Sequence, residues 1–91
     1  MKKIYTVYDQ AAGAYLQPFF LDTAGQAIRA FTDCANDQEH LFGKYPDAYT
    51  LYHIGTYDES NGNISCISPE SMGNALEYVT VPTSNVTPIK E

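Results

Sequence analysis

The chain has 91 residues, 44% hydrophobic and 18% charged, with eleven acidic side chains against five basic ones and a net charge of −6. Such a length and mix specify one small globular domain and exclude a disordered chain. The acid excess opposes the Lys and Arg grip on phosphates that non-specific nucleic-acid binding requires. The start, MKKIYTVYD, lacks the apolar stretch of a signal peptide, and no run is long enough for a membrane helix. The expectation is a soluble cytoplasmic protein with reduced thiols, since Cys34 and Cys66 lie far apart in the chain and form no metal-ligand spacing. Aromatics are the compositional anomaly: eight Tyr and four Phe, with no Trp. Tyrosine has an apolar body and a polar tip, which suits half-buried sheet faces and interfaces.

In chain order, KKIYTVYD is β-branched and aromatic, as strands prefer. Its alternation places Tyr5 and Val7 on one face and Ile4, Thr6 and Tyr8 on the other, both apolar enough for a central strand. DQAAG reads as a turn closed by Gly13. AYLQPFFLD is a second extended run, forming a hairpin with the first. Pro18 cannot donate a ladder hydrogen bond, so this strand belongs at an edge or carries a bulge there. A helix follows: Asp22 and Thr23 are N-cap candidates, Thr23 with Gln26 fits a capping box, and Ala24, Ala27, Ile28, Phe31, Cys34 and Ala35 recur at helical spacing. Asn36 and Asp37 suit its end.

Residues 37–48 read as an irregular connection, with Leu41 and Phe42 tucked against the core and turns at Gly43 and at Tyr45-Pro46. In YTLYHIGTYD, strict alternation puts Tyr49, Leu51, His53, Gly55 and Tyr57 on one face, and Thr50, Tyr52, Ile54 and Thr56 on the other. Asn61-Gly62 is a hairpin turn signal, NISCIS is a short return strand, and Pro69 is expected to end it. PESMGNALEYV reads either as a short helix or as extended chain. From residue 82 the sequence is polar, with a second proline at 88, and is expected to be a flexible tail. The predicted architecture is α+β: a single domain over residues 1–81, with a small antiparallel sheet of about four strands in ββαββ order and one helix packed on a face.

Chemistry-bearing patterns are sparse. His40 and His53 lack a third ligand at metal spacing. Cys34 falls on the apolar helix face, as a buried structural thiol would. No phosphate loop, dinucleotide fingerprint or paired catalytic carboxylates can be discerned. The expectation is a nonenzymatic protein with no catalytic residues, no cofactor and no metal. The strand tyrosines Tyr5, Tyr8, Tyr15, Tyr49, Tyr52 and Tyr57 remain. They can be cross-strand pairs, a self-association surface, or a platform on which bases stack.

The blocks MKKIYTVYD, AYLQPFF, TAGQAIRAFTD, YPDAYTLYHIGTYDESNG and ALEY appear in that order, and over residues 1–80 the chain resembles the small nonstructural protein encoded by the fifth open reading frame of gokushovirus-type microviruses, phages with single-stranded DNA. AIRAFTD and YTLYHIGTYD carry most of the resemblance. It implies an accessory protein of the bacterial host cytoplasm that modulates single-stranded genome synthesis or packaging. Joined to the strand tyrosines, it gives a first expectation of contact with single-stranded DNA. Tyr5, Tyr52 and Tyr57 would stack on bases while Lys3, Arg29 and Lys44 meet phosphates. The second expectation is an acidic, homo-oligomeric protein–protein adaptor for a phage replication or procapsid protein or a host replication factor. The two differ in where the bases lie relative to the exposed tyrosines.

Overall fold

The computed structural model of the protein describes residues 1–80, so the tail expected from residue 82 lies outside the described residues. Strand β1 (Lys2–Asp9) is the centre of a five-stranded antiparallel sheet. One of its edges meets β2 (Ala14–Tyr15) and β3 (Phe19–Leu21); the other meets β4 (Tyr49–Asp58), which in turn pairs with β5 (Asn63–Asn74). Four consecutive residues of β1, Ile4 to Val7, are buried. Burial of both faces is what its unbroken β-branched and aromatic run required.

The turns are made as their residues dictate. Gly13 and Gly62 both have positive φ, which costs glycine nothing. The Gly13 amide donates to the Asp9 carbonyl at 2.8 Å, and the Gly62 amide to the Asp58 carbonyl at 2.8 Å. The second extended run is not continuous: Pro18 falls in the break between β2 and β3, so the expected ββαββ order becomes three strands, a helix and two strands.

Helix α1 (Ala24–Ala35) packs on one sheet face. Its capping box is formed as read, with the Gln26 amide donating to Thr23 Oγ1 at 3.2 Å and Gln26 Oε1 accepting from the Thr23 amide at 3.2 Å. Ala27, Phe31 and Ala35 are buried against Tyr5, Val7, Tyr49, Leu51 and Ala75, which together form the core. Asn36 ends the helix and fastens the last described segment. Its Nδ2 donates to the carbonyls of Thr32 (2.9 Å) and Tyr78 (3.0 Å), and its Oδ1 accepts from the Thr80 amide at 2.8 Å.

The connection after α1 contains a one-turn helix, α2 (Leu41–Lys44), and a 3-10 turn (Pro46–Ala48). Phe42 tucks inward against Phe31 and Tyr49, but Leu41 is 55% exposed, because α2 presents only one side to the core. Pro69 does not end the return strand. β5 runs on to Asn74, since an edge strand with an irregular middle tolerates a residue that cannot donate. The ambiguous ALEY segment is a 3-10 turn (Ala75–Tyr78) capped by Asn74, and the Tyr78 hydroxyl donates to the Met72 carbonyl.

Candidate functional site

With α1 on one face, the opposite face of the sheet has no covering helix among the described residues. Register fixes which side chains lie there. In an antiparallel pair directly opposed residues share a face. Ile4, Thr6 and Tyr8 point away from the core residues Tyr5 and Val7, and Thr6 and Tyr8 oppose Tyr52 and Thr50.

The alternation of β4 then breaks. Tyr5 opposes His53 but Ile4 opposes Gly55, so Ile54 is an extra residue. One inserted residue reverses every side chain beyond it. Tyr57, opposite Lys2, therefore lies on the open face with Tyr52 and not on the core face with Tyr49, which corrects the strict alternation expected from the sequence. Its ring meets Phe20 edge-on at 5.6 Å.

The irregularity crosses the whole sheet at one level. Between Tyr8 opposite Tyr15 and Tyr5 opposite Phe19, two residues of β1 face residues 16–18, with Pro18 among them. Beyond β4, His53 opposes Glu70 and Gly55 opposes Cys66, so Ile54 alone faces residues 67–69, with Pro69 among them. Aligned bulges strengthen the local twist and bend strands. The sheet curls into a half-barrel whose two proline-bearing rims approach over the open face.

Gly55 permits this closeness. A Cβ there would enter the van der Waals envelope of the Ser65 carbonyl oxygen and lie 3.4 Å from Cys66 Cα.

The result is an apolar groove of about 390 Å³ lined by Thr6, Leu16, Pro18, Ile54, Ile67 and Pro69, with Tyr15 and Cys66 at its sides. Aromatic clasps flank it. Tyr15 and Tyr52 meet at 5.7 Å, and Phe20 and Tyr57 meet as already described. Both pairs join strands on either side of β1, so their rings close over it, and Ile4 and Thr6 are only 4% and 3% exposed although no helix among the described residues lies above them. Tyr8 extends the first clasp, 4.8 Å from Tyr15. Thr6 Oγ1 donates to the Leu16 carbonyl at 2.6 Å, so the one hydroxyl proton of the groove floor is already used.

The groove therefore offers apolar surface and almost no hydrogen-bonding specificity. Phe20, Ile64 and Ile67 stand 45%, 56% and 45% exposed on or beside it, and Cys66 is a free, exposed thiol.

Of the residues expected to contact DNA, the structure brings together Tyr52 and Tyr57, both half-buried on the open face. Tyr5 is placed elsewhere. It is 1% exposed in the core, between the rings of Phe19 (6.0 Å) and His53 (5.1 Å), with no ring face left for a base. Burial first, and the Glu70 carboxylate second, push its hydroxyl above the ordinary tyrosine range.

The bases do not join the tyrosines. Lys3 shares the helix-side face with Leu21, while Arg29 and Lys44 are exposed on α1 and α2. Among the described residues Lys2 is the one Lys or Arg with open-face parity, and its ammonium is held by Asp22 at 2.6 Å. That hydrogen bond, with the charge behind it, raises the Lys2 pKa and lowers that of Asp22.

His53 sits on the helix side, its Nε2 3.0 Å from the Gly55 carbonyl and its Nδ1 3.6 Å from Glu70. His40 caps α2, its Nδ1 accepting from the Phe42 amide at 3.1 Å. Among the described residues no cluster of three His, Cys, Asp or Glu is arranged to hold a metal, and no helix is long and apolar enough to cross a membrane.

Sequence reasoning missed Phe20, Ile54, Ile67 and the two prolines as members of one site. The available signals were Pro18 and Pro69 within strand-like runs and Gly55 inside a strand, each a mark of a bulge.

Fold and site define a small α+β protein with a curled sheet, one helix-covered face, and an aromatic face with an apolar groove that is uncovered among the described residues. The chain belongs to the phage ORF5 protein family, whose sequence model matches residues 2–78 and so spans every element described above. No curated protein and no solved structure matches it.

Proposed function

We propose that this phage protein is a nonenzymatic accessory factor that works as an acidic adaptor in the bacterial host cytoplasm. It would hold a phage replication or procapsid protein, or a host replication factor, against the open sheet face. In this way it would modulate synthesis or packaging of a single-stranded DNA genome, as in gokushovirus-type phages. One observation carries the reading: among the described residues, the aromatic face and the bases Lys3, Arg29 and Lys44 lie on different sides of the sheet. Interfaces concentrate Tyr and Phe in a core depleted of charge, and this face has that composition. Strand-tracking single-strand binders need the aromatics and the positive charge together.

The test is affinity capture of the tagged protein from infected cells, with the retained protein identified by mass spectrometry. Wild type should retain a defined phage or host replication or assembly protein. A Tyr15→Ser, Tyr52→Ser variant with unchanged circular dichroism should lose it. Equal capture by both proteins would defeat the reading.

A second reading keeps one specific support. The Ile54 bulge puts Tyr52 and Tyr57 on a common face with Tyr15 and Phe20, as a stacking platform for single-stranded DNA would need. Anisotropy of a fluorescent oligonucleotide decides it. Phosphate contacts strengthen as salt falls, so absence of saturable binding at low salt removes direct DNA contact.

A further inference from the structure

The groove has a definite shape and a definite chemistry. Its rims are residues from opposite sheet edges, Leu16 and Pro18 on one side and Ile67 and Pro69 on the other, and its floor is Thr6 and Ile54. It therefore runs across the strands, between the Tyr15 to Tyr52 clasp and the Phe20 to Tyr57 clasp. At about 4.8 Å per strand spacing, crossing from the outer edge to β5 spans about 15 Å, the length of about ten residues of α-helix. A groove of this volume is within the range that seats a ligand. With the Thr6 hydroxyl proton committed to Leu16 and a lining that is otherwise mostly apolar, it rewards burial of hydrocarbon more than of a polar base edge.

Two features narrow the occupant. The groove is bounded by rims from both sheet edges, so two copies laid groove to groove would leave its floor empty; a segment that enters between the rims is needed to fill it. The chain around this neutral groove has a net charge of −6, and a field of that sign draws a basic partner and slows an acidic one.

We propose that the groove between the two proline-bearing rims is the docking site for a basic amphipathic helical segment of a partner protein, which buries aliphatic side chains on Ile54 and Ile67. The assignment rests on the adaptor reading and names the partner chemistry of its open face.

Cys66 at the groove wall is a built-in reporter, and Cys34, on α1 across the sheet, is its control. The probe is an eighteen-residue helical peptide, about that length being enough for helix formation, made of Leu and Lys with all Leu on one face. Two further peptides replace Leu by Ser or Lys by Glu. Alkylation of both thiols by iodoacetamide is followed by mass spectrometry, and affinity by anisotropy.

Saturating Leu/Lys peptide should slow Cys66 alkylation at least tenfold and leave Cys34 unchanged. Ile67→Ser, at an exposed position that does not threaten folding, should weaken binding at least fivefold. Neither the Ser/Lys nor the Leu/Glu peptide should protect Cys66.

Binding without Cys66 protection, or equal binding by the Ser/Lys peptide, would overturn the groove assignment. Protection by the Leu/Glu peptide would overturn the basic character of the partner. Concentration-dependent protection of Cys66 with no peptide present would make a second copy the occupant and overturn the proposal. If the peptide result is negative while the Tyr15→Ser, Tyr52→Ser variant still loses its captured partner, the groove assignment falls and the adaptor reading stands. The reverse outcome separates them in the other direction.

Discussion

The curled sheet depends on a close approach of two backbones at Gly55, and replacing that residue by alanine probes it. The added methyl would enter the Ser65 carbonyl oxygen and press on Cys66 Cα. Both are main-chain atoms, so no rotamer change relieves the clash and β5 itself must move. Overpacking of this kind costs about 1–3 kcal/mol. A Gly to Ala change also reduces the freedom of the unfolded chain, an offset of about 0.4–1 kcal/mol. The net loss is on the order of 1–2 kcal/mol. At about 4–8 °C per kcal/mol for a domain of this size, Gly55→Ala should lower Tm by roughly 5–15 °C.

Gly25→Ala is the matched control. Gly25 lies in the first turn of α1 with only Thr23 Oγ1, 3.8 Å away, near its missing Cβ, so the change should stabilise by about 0.5 kcal/mol. Thermal melts by far-UV circular dichroism measure both. If Gly55→Ala melted at or above wild type, the claim that β4 and β5 are pinned together at this level would be wrong.

Other perturbations test other joints of the structure. Asn36→Ala removes the donors and acceptor that tie the end of α1 to Tyr78 and Thr80. At about 0.5–1.5 kcal/mol for each of these three hydrogen bonds, it should cost about 1.5–4.5 kcal/mol in urea unfolding. Asp22 has a lowered pKa because Lys2 donates to it, so its contribution to stability is present above the ordinary carboxylate pKa of about 3.9 and is lost as pH falls through the lowered value. Wild type should therefore exceed Asp22→Asn in stability near neutral pH, and the two should converge in strong acid and in high salt. In the free protein Cys66, which is exposed, should alkylate faster than Cys34, whose thiol is half-buried and pushed up mainly by burial. Mass spectrometry of a timed reaction gives the order.

Features set by local chemistry were legible in the sequence. Thr23 and Gln26 specify where α1 begins because their side chains satisfy its first amides. Asn61-Gly62 specifies the hairpin because glycine accepts positive φ. The apolar character of both faces of KKIYTVYD specifies a central strand. What a period of two cannot carry is an inserted residue. Nothing in HIG distinguishes a continuous strand from one in which Ile54 is extra, yet that residue decides which face Tyr57 takes. The burial of Tyr5 depends on α1 covering its side of β1 and not the other, which no residue of β1 encodes. The separation of Arg29 and Lys44 from the tyrosines is likewise a tertiary fact: helix and sheet contribute the two sets, and only their packing sets them apart. Pro18 and Pro69 were visible as strand irregularities, but their convergence on one groove needs the curl of the sheet.

The proposed role of the open face is to bind protein. Its most direct test is site-specific photocrosslinking in infected cells, with a photoreactive phenylalanine analogue at position 67 in the groove rim or at position 41 on the exposed side of α2. An adduct with one phage or host protein is expected from position 67 and none of that species from position 41. An adduct from position 67 to DNA, or the same protein adduct from both positions, would contradict it.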